Sequence, residues 1–166
     1  MLVADISAYN VSIFIHIAAV VVGFGATFAL ALTFPIAMRL DPRHLPYVHE
    51  LSSAVGRFMA TPALVVIILT GFYQVSEGDW EFGDFWIVGT LVIAIVLGGL
   101  GGAYFAPSDR KLGAMVRREL DTTPPGGEVT LSEEYQRGAR MQGIVGSFAG
   151  FLVLLAIFLM VTKPGA

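Results

Sequence analysis

Four long runs without Asp, Glu, Lys or Arg decide what this chain can fold into. Ile6–Met38, Phe58–Ser76, Phe85–Ser108 and Met141–Thr162 hold 33, 19, 24 and 22 residues, and about 20 consecutive apolar residues are enough to cross a bilayer as a helix. LVVIILTGF and LVIAIVLGGLGG are continuously apolar, whereas strands of a membrane barrel would alternate apolar and polar residues. The expected fold is all-α: a polytopic membrane protein built as a four-transmembrane-helix bundle. Residues 1–166 form a single membrane domain, with spans at about 11–38, 58–76, 85–107 and 141–162. Composition agrees, since 55% hydrophobic and 14% charged residues with a mean hydropathy of +0.74 leave too little polar surface for a water-soluble core.

The scarce charge is unevenly placed. Arg39, Arg43 and Arg57 lie between the first two spans, and Arg110, Lys111, Arg117, Arg118, Arg137 and Arg140 between the last two, so nine of the ten basic residues share one side. Short loops rich in Lys and Arg stay cytoplasmic. Segments 39–57 and 108–140 are therefore expected inside a bacterial cytoplasmic (inner) membrane, and both termini outside. Lys163 stands on the other side with Asp5, Glu77, Asp79, Glu81 and Asp84. MLVADISAYN has no basic stretch of the kind that opens a signal peptide, so the first helix is expected to be retained. A net charge of −3 excludes a nucleic-acid partner, which would need a clustered basic surface. The absence of cysteine removes disulfides, thiolate metal sites and Cys nucleophiles. No GxSxG, Walker A, GxGxxG or HExxH pattern occurs, and paired carboxylates fall only in loops or at helix starts with no buried environment visible to shift their pKa values, so the chain is not expected to be an enzyme.

Helix punctuation refines the spans. Pro46 suits a first turn, and a second helix starting there would run through Pro62, freeing the Phe58 carbonyl and kinking. Thr130-Leu131-Ser132-Glu133 matches a capping box ahead of the fourth span. Pro124-Pro125-Gly126-Gly127 reads as a turn. Arg110–Leu120 reads either as an interfacial amphipathic helix or as a solvated extension of the third span.

Small residues mark helix contacts: Gly23 in the first span, Gly98 and Gly102 in the third, Gly146 and Gly150 in the fourth, the last four at GxxxG spacing. Packing within the chain is the expected use, and a homo-oligomer or another membrane protein the alternative. His16 is the one His, Asp, Glu, Lys or Arg inside any expected span, and such a residue faces the bundle interior because its desolvation is costly. One reading makes it an axial ligand of haem b, with its other nitrogen hydrogen-bonded. Met160 is then the best second ligand, with Tyr73 and Thr90 behind it. The other reading makes His16 a hydrogen-bonding tie to a Thr or Tyr hydroxyl on a neighbouring helix. His44 and His49, five residues apart, do not share a helix face, so solvated or interfacial side chains are expected rather than a zinc site. Trp80 and Trp86 form an interfacial belt in GDWEFGDFW.

FIHIAAVVVGFGATFALAL, VGRFMATPALVVIILTGFY, GDWEFGDFWIVGTLVIAIVLGGLGGAYFAP and FLMVTKPG, in this order, resemble a bacterial family of predicted four-helix integral membrane proteins, a domain of unknown function. That family is in turn distantly similar to the copper-resistance D proteins and the HemJ-type protoporphyrinogen oxidases. The resemblance to the latter implies b-type haem ligation by a first-helix histidine, here His16. The basic residue such proteins carry close before that histidine is absent from Asn10–Ile15, which argues against porphyrinogen oxidation. The likeness to copper-resistance proteins implies copper passage, for which the outer loop offers no soft ligand. The expected functions are a small haem b protein, a non-catalytic accessory subunit of a larger, respiratory-type membrane complex, or a copper or small-solute permease.

Overall fold

Each apolar run forms a helix among the described residues, and the second, third and fourth helices outlast their runs. The structure, a computed structural model, describes residues 7–124 and 127–165. Asp5, the start of the first helix's leader and the Pro125-Gly126 centre of the expected turn lie outside the described residues. Four long helices follow in order: α1 (Ala8–Leu40), α2 (Pro42–Glu77), α3 (Phe85–Asp121) and α4 (Glu133–Thr162). At 1.5 Å per residue α3 is roughly 55 Å long, against a hydrocarbon layer of about 30 Å. The excess of α2, α3 and α4 projects at the end that carries the arginines.

The projecting segments make a core of their own. Leu45 and Val48 of α2, Leu112 and Val116 of α3, and Leu131 and Tyr135 at the start of α4 are buried together with Ala37 near the end of α1. Arg110–Leu120 is thus a continuation of α3, not a helix lying on the membrane surface. Its buried positions 109, 112, 113 and 116 follow helical spacing, while Arg110, Lys111, Arg117 and Arg118 are exposed. At the opposite end Val75, Trp86, Ile87, Ile93 and Leu159 form a second core. Between the two, no more than 17% of any apolar window is buried inside the chain, so these faces require hydrocarbon rather than water. The chain is a polytopic membrane protein.

α2 and α3 share one irregularity. Gly56–Ala60 and Leu100–Phe105 form wide, π-type turns, closed by Thr61 N–H donating to the Gly56 carbonyl and Ala106 N–H to that of Gly101. Each closing residue precedes a proline, Pro62 or Pro107. Proline removes an N–H and crowds the carbonyl four residues back, and one extra residue in the preceding turn makes room without breaking the helix. The disturbance expected at Pro62 therefore takes this form, and Pro107 repeats it.

Helix ends are set by local chemistry. The Ser7 hydroxyl accepts the Asn10 N–H at 3.2 Å and opens α1. Asp41 ends it, and its carboxylate accepts the Arg43 N–H at 2.9 Å at the start of α2; that backbone donor, assisted by the Arg43 guanidinium, holds the Asp41 carboxyl below its ordinary range. The capping box is shifted from its expected register: Ser132 rather than Thr130 caps α4, accepting the Tyr135 N–H at 3.2 Å, because Leu131 is drawn into the core. Lys163 closes α4 in the left-handed region (φ 42°), rare for a residue with a side chain. Its ammonium lies 3.8 Å from the Trp80 ring centroid and 5.5 Å from that of Trp86, and the two indoles meet edge to face at 5.4 Å.

Packing glycines divide into two sets. A side chain at Gly23 would collide with the Ala63 Cβ, one at Gly98 would come within 3.2 Å of Leu64, and one at Gly150 within 3.2 Å of Phe28. Gly102 and Gly146 meet nothing within 4 Å. Each GxxxG pair therefore has one member used inside the chain and one open.

Candidate functional site: two polar clusters in an apolar bundle

The first cluster lies on the seam between α1 and α2, toward the tryptophan end. His16 Nδ1 is 2.8 Å from the Thr70 hydroxyl, and one α1 turn away Gln74 Nε2 donates to the Ser12 hydroxyl at 3.2 Å. The Thr70 hydroxyl proton is already given to the Val66 carbonyl at 2.6 Å, so Nδ1–H of His16 is the donor and the Thr70 oxygen the acceptor. In the neutral ring that assignment leaves the lone pair on Nε2. The Ile67 carbonyl stands beside the ring as a further acceptor, and among the described residues Nε2 makes no side-chain hydrogen bond. Gly71 leaves the imidazole edge open, since a side chain there would stand 3.7 Å from His16 Cε1. The interhelical tie expected of this histidine is formed, through one nitrogen only.

Met160 and Thr90 face elsewhere. They line a central apolar cavity of about 40 Å³ with residues from all four helices, among them Val20, Phe24, Leu64 and Val153. His16 is not in its wall, and Tyr73 is exposed on α2. Cofactor pockets span roughly 300–1,000 Å³, so haem does not fit this cavity. The imidazole has the right chemistry for an axial ligand, but this chain alone does not enclose the group between His16 and Met160.

The second cluster overturns two sequence expectations. His49 is not solvated: it is 2% exposed, wedged edge-on against the Phe34 ring with centroids 4.9 Å apart. Asp109, just after the wide turn of α3, is 3% exposed. A buried carboxylate environment therefore exists. His49 Nδ1 lies 3.1 Å from Asp109 Oδ1, Ser52 Oγ donates to Oδ2 at 2.8 Å, and Gln142 Nε2 donates to Oδ1 at 2.6 Å. On its other side His49 Nε2 is 3.1 Å from the Tyr135 hydroxyl. Three helices meet here, with His49 and Ser52 from α2, Asp109 from α3, and Tyr135 and Gln142 from α4. Tyr135 lies in the first turn of α4, ahead of the apolar stretch; burial first, then Glu119 and Asp109, push its phenol well above the ordinary range. Gln142 Oε1 is buried without a donor. His44, by contrast, is exposed as expected.

A signal for this cluster was present. Leu45, Val48, His49 and Ser52 stand at i, i+3, i+4 and i+7, as do Asp109, Leu112, Gly113 and Val116, which puts each polar residue on the apolar face of its helix. No three His, Asp or Glu side chains gather as a metal site among the described residues.

A family model described as a predicted integral membrane protein (DUF2269) matches residues 11–164. No curated protein and no solved structure matches the chain.

Proposed function

The chain belongs to this family of predicted integral membrane proteins, and on that footing we propose that it is a helical subunit of a larger membrane assembly in which His16 offers Nε2 to the iron of haem b at the contact with another chain. The carrying observation is the bare nitrogen. Nδ1 is tied to Thr70 and Nε2 makes no side-chain hydrogen bond among the described residues, and a polar ring set in an apolar span is costly unless something uses it. A hydrogen bond at the far nitrogen is also what orients a ligating imidazole. The distant likeness to HemJ-type proteins points to the same histidine. Met160 lines a cavity that His16 does not border, so on this reading the second ligand comes from the neighbouring chain, and no reaction step is assigned to this one.

Packing without a cofactor is the second reading. It is favoured by glycines that touch nothing inside the chain, Gly99, Gly101 and Gly102 on α3 and Gly143 and Gly146 on α4, since small residues let helices of separate chains approach closely. An apolar central cavity gives a copper or solute path no support. In both readings the arginine-rich end faces the cytoplasm of a bacterial cell, by the asymmetry of basic residues.

Extraction from native membranes in mild detergent tests the proposal. The expected species is heavier than the 17.8 kDa chain and shows a Soret band that His16→Leu abolishes and Met160→Leu leaves in place. A Soret band that survives His16→Leu, or its absence from every preparation including one supplied with haem, overturns the haem assignment. A species of single-chain mass overturns the subunit assignment.

A further inference from the structure

Three donors converge on one buried carboxylate in the second cluster. Asp109 accepts from Ser52 Oγ and Gln142 Nε2 and from Nδ1–H of His49. With His49 neutral, Nε2 accepts the Tyr135 O–H and the cluster carries one negative charge. With a proton added at Nε2, the imidazolium donates to both Asp109 and the Tyr135 oxygen, and the cluster is neutral. The same heavy-atom positions, 3.1 Å on each side of the ring, serve both states, so no helix has to move. α1 contributes the uncharged Phe34 ring; α3 contributes Asp109 and Gly113, with Glu119 acting on Tyr135; α4 contributes Tyr135 to the ring and Gln142 to Asp109. On the same helices Arg117 pairs with Glu50 and Lys111 with Glu134 in exposed contacts, which solvent screens.

We infer that His49 and Asp109 form a proton-binding site at the arginine-rich end of the bundle, which takes up one proton from that side at His49 Nε2. The bond formed is Nε2–H, the bond broken is one O–H of a hydronium ion, which leaves as water, and the charge of the cluster changes from −1 to 0. Three of the carboxylate's lone-pair sites already accept from protein donors, and among the described residues no third His, Asp or Glu joins the pair as a metal site. Gln142 Oε1, buried and without a donor, is where one water molecule can join the network. Uptake replaces an ion–dipole hydrogen bond by an ion pair and so tightens α2 on α3. Both helices carry their wide, proline-marked turns just on the apolar side of this contact.

The test is a titration of the full chain in lipid nanodiscs, observed through the ring nitrogens of ¹⁵N-labelled histidine. The His49 signal is identified as the one missing from His49→Gln. The expected result is an Nδ1–H neutral ring at high pH that becomes doubly protonated as the pH is lowered. Asp109→Asn should lower the midpoint of this change by a unit or more, a tenfold loss in proton affinity, because it removes the opposite charge. Gln142→Leu should raise it, because it removes a donor that stabilises the carboxylate. A ring that stays neutral throughout overturns the inference in the wild type alone, whether or not the variants fold, and an unmoved midpoint in a folded Asp109→Asn overturns the pairing. His16 takes no part, so failure here leaves the haem reading intact and the reverse also holds.

Discussion

Gly23 sets how closely α1 and α2 approach, because a side chain there would occupy the position of the Ala63 Cβ. Gly23→Val is expected to destabilise the bundle by about 1–3 kcal/mol, the usual cost of overpacking. Gly25, with nothing within 4 Å, should tolerate Ala within about 0.5 kcal/mol; unfolding midpoints in mixed micelles compare the two. Tyr135 makes a second prediction. Its folded phenol holds its proton more tightly than an unfolded one, so its contribution is complete below about pH 10 and is lost as pH rises through the folded value. Alkaline unfolding should therefore be steeper in the wild type than in Tyr135→Phe. At neutral pH that variant should be less stable by about 1–3 kcal/mol, since it leaves the buried His49 Nε2 unpaired. His16 was legible as a single residue because it interrupts an apolar run. His49 and Asp109 were not, because each sits among charged neighbours and only the helical spacing places it on a buried face.

Elements were legible where one local rule governs them. Ser7, Pro46 and the apolar runs announce helices, and Pro62 announces a disturbance whose form, a wide turn with one extra residue, depends on what the two halves of α2 must each face. Deleting the exposed Phe58 removes that residue and rotates His49 and Ser52 by about 100° relative to Ala63. The deletion should abolish protection of the α2–α3 contact in hydrogen exchange, whereas a protection pattern like the wild type's would show that the wide turn is dispensable. The end of α4 is governed by a contact across the molecule. Lys163 adopts a conformation that glycine takes more readily, and in doing so sets its ammonium over Trp80 and Trp86. Lys163→Ala should lose about 0.5–2 kcal/mol of cation–π attraction and keep the backbone strain. Lys163→Gly loses the same contact but relieves the strain, and should be the more stable of the two by about 1 kcal/mol. Thermal unfolding followed by tryptophan fluorescence distinguishes them.

At the scale of the molecule, two small cores bracket a belt of apolar side chains that only lipid can cover. The proposed orientation predicts that a phosphatase active only outside the cytoplasm works when fused after Ala166 and fails when inserted near Thr122; the opposite pattern would reverse the bundle. Length, helicity and membrane residence were fixed by the sequence itself, because hydrocarbon tolerates only backbone that bonds within its own segment, and four uncharged runs of sufficient length leave one architecture. The partners of those runs were not written in them. Apolar helices present similar faces all round, so which glycine meets Ala63, which meets nothing, and whether Met160 turns toward His16 or toward a separate cavity are settled by packing register alone. The polar cluster at the arginine-rich end is the plainest case. Its five residues come from three helices and are spread over 94 positions of sequence, from His49 to Gln142, and they become one hydrogen-bonded network, buried except for the half-buried Ser52, only because tertiary packing brings them together away from water.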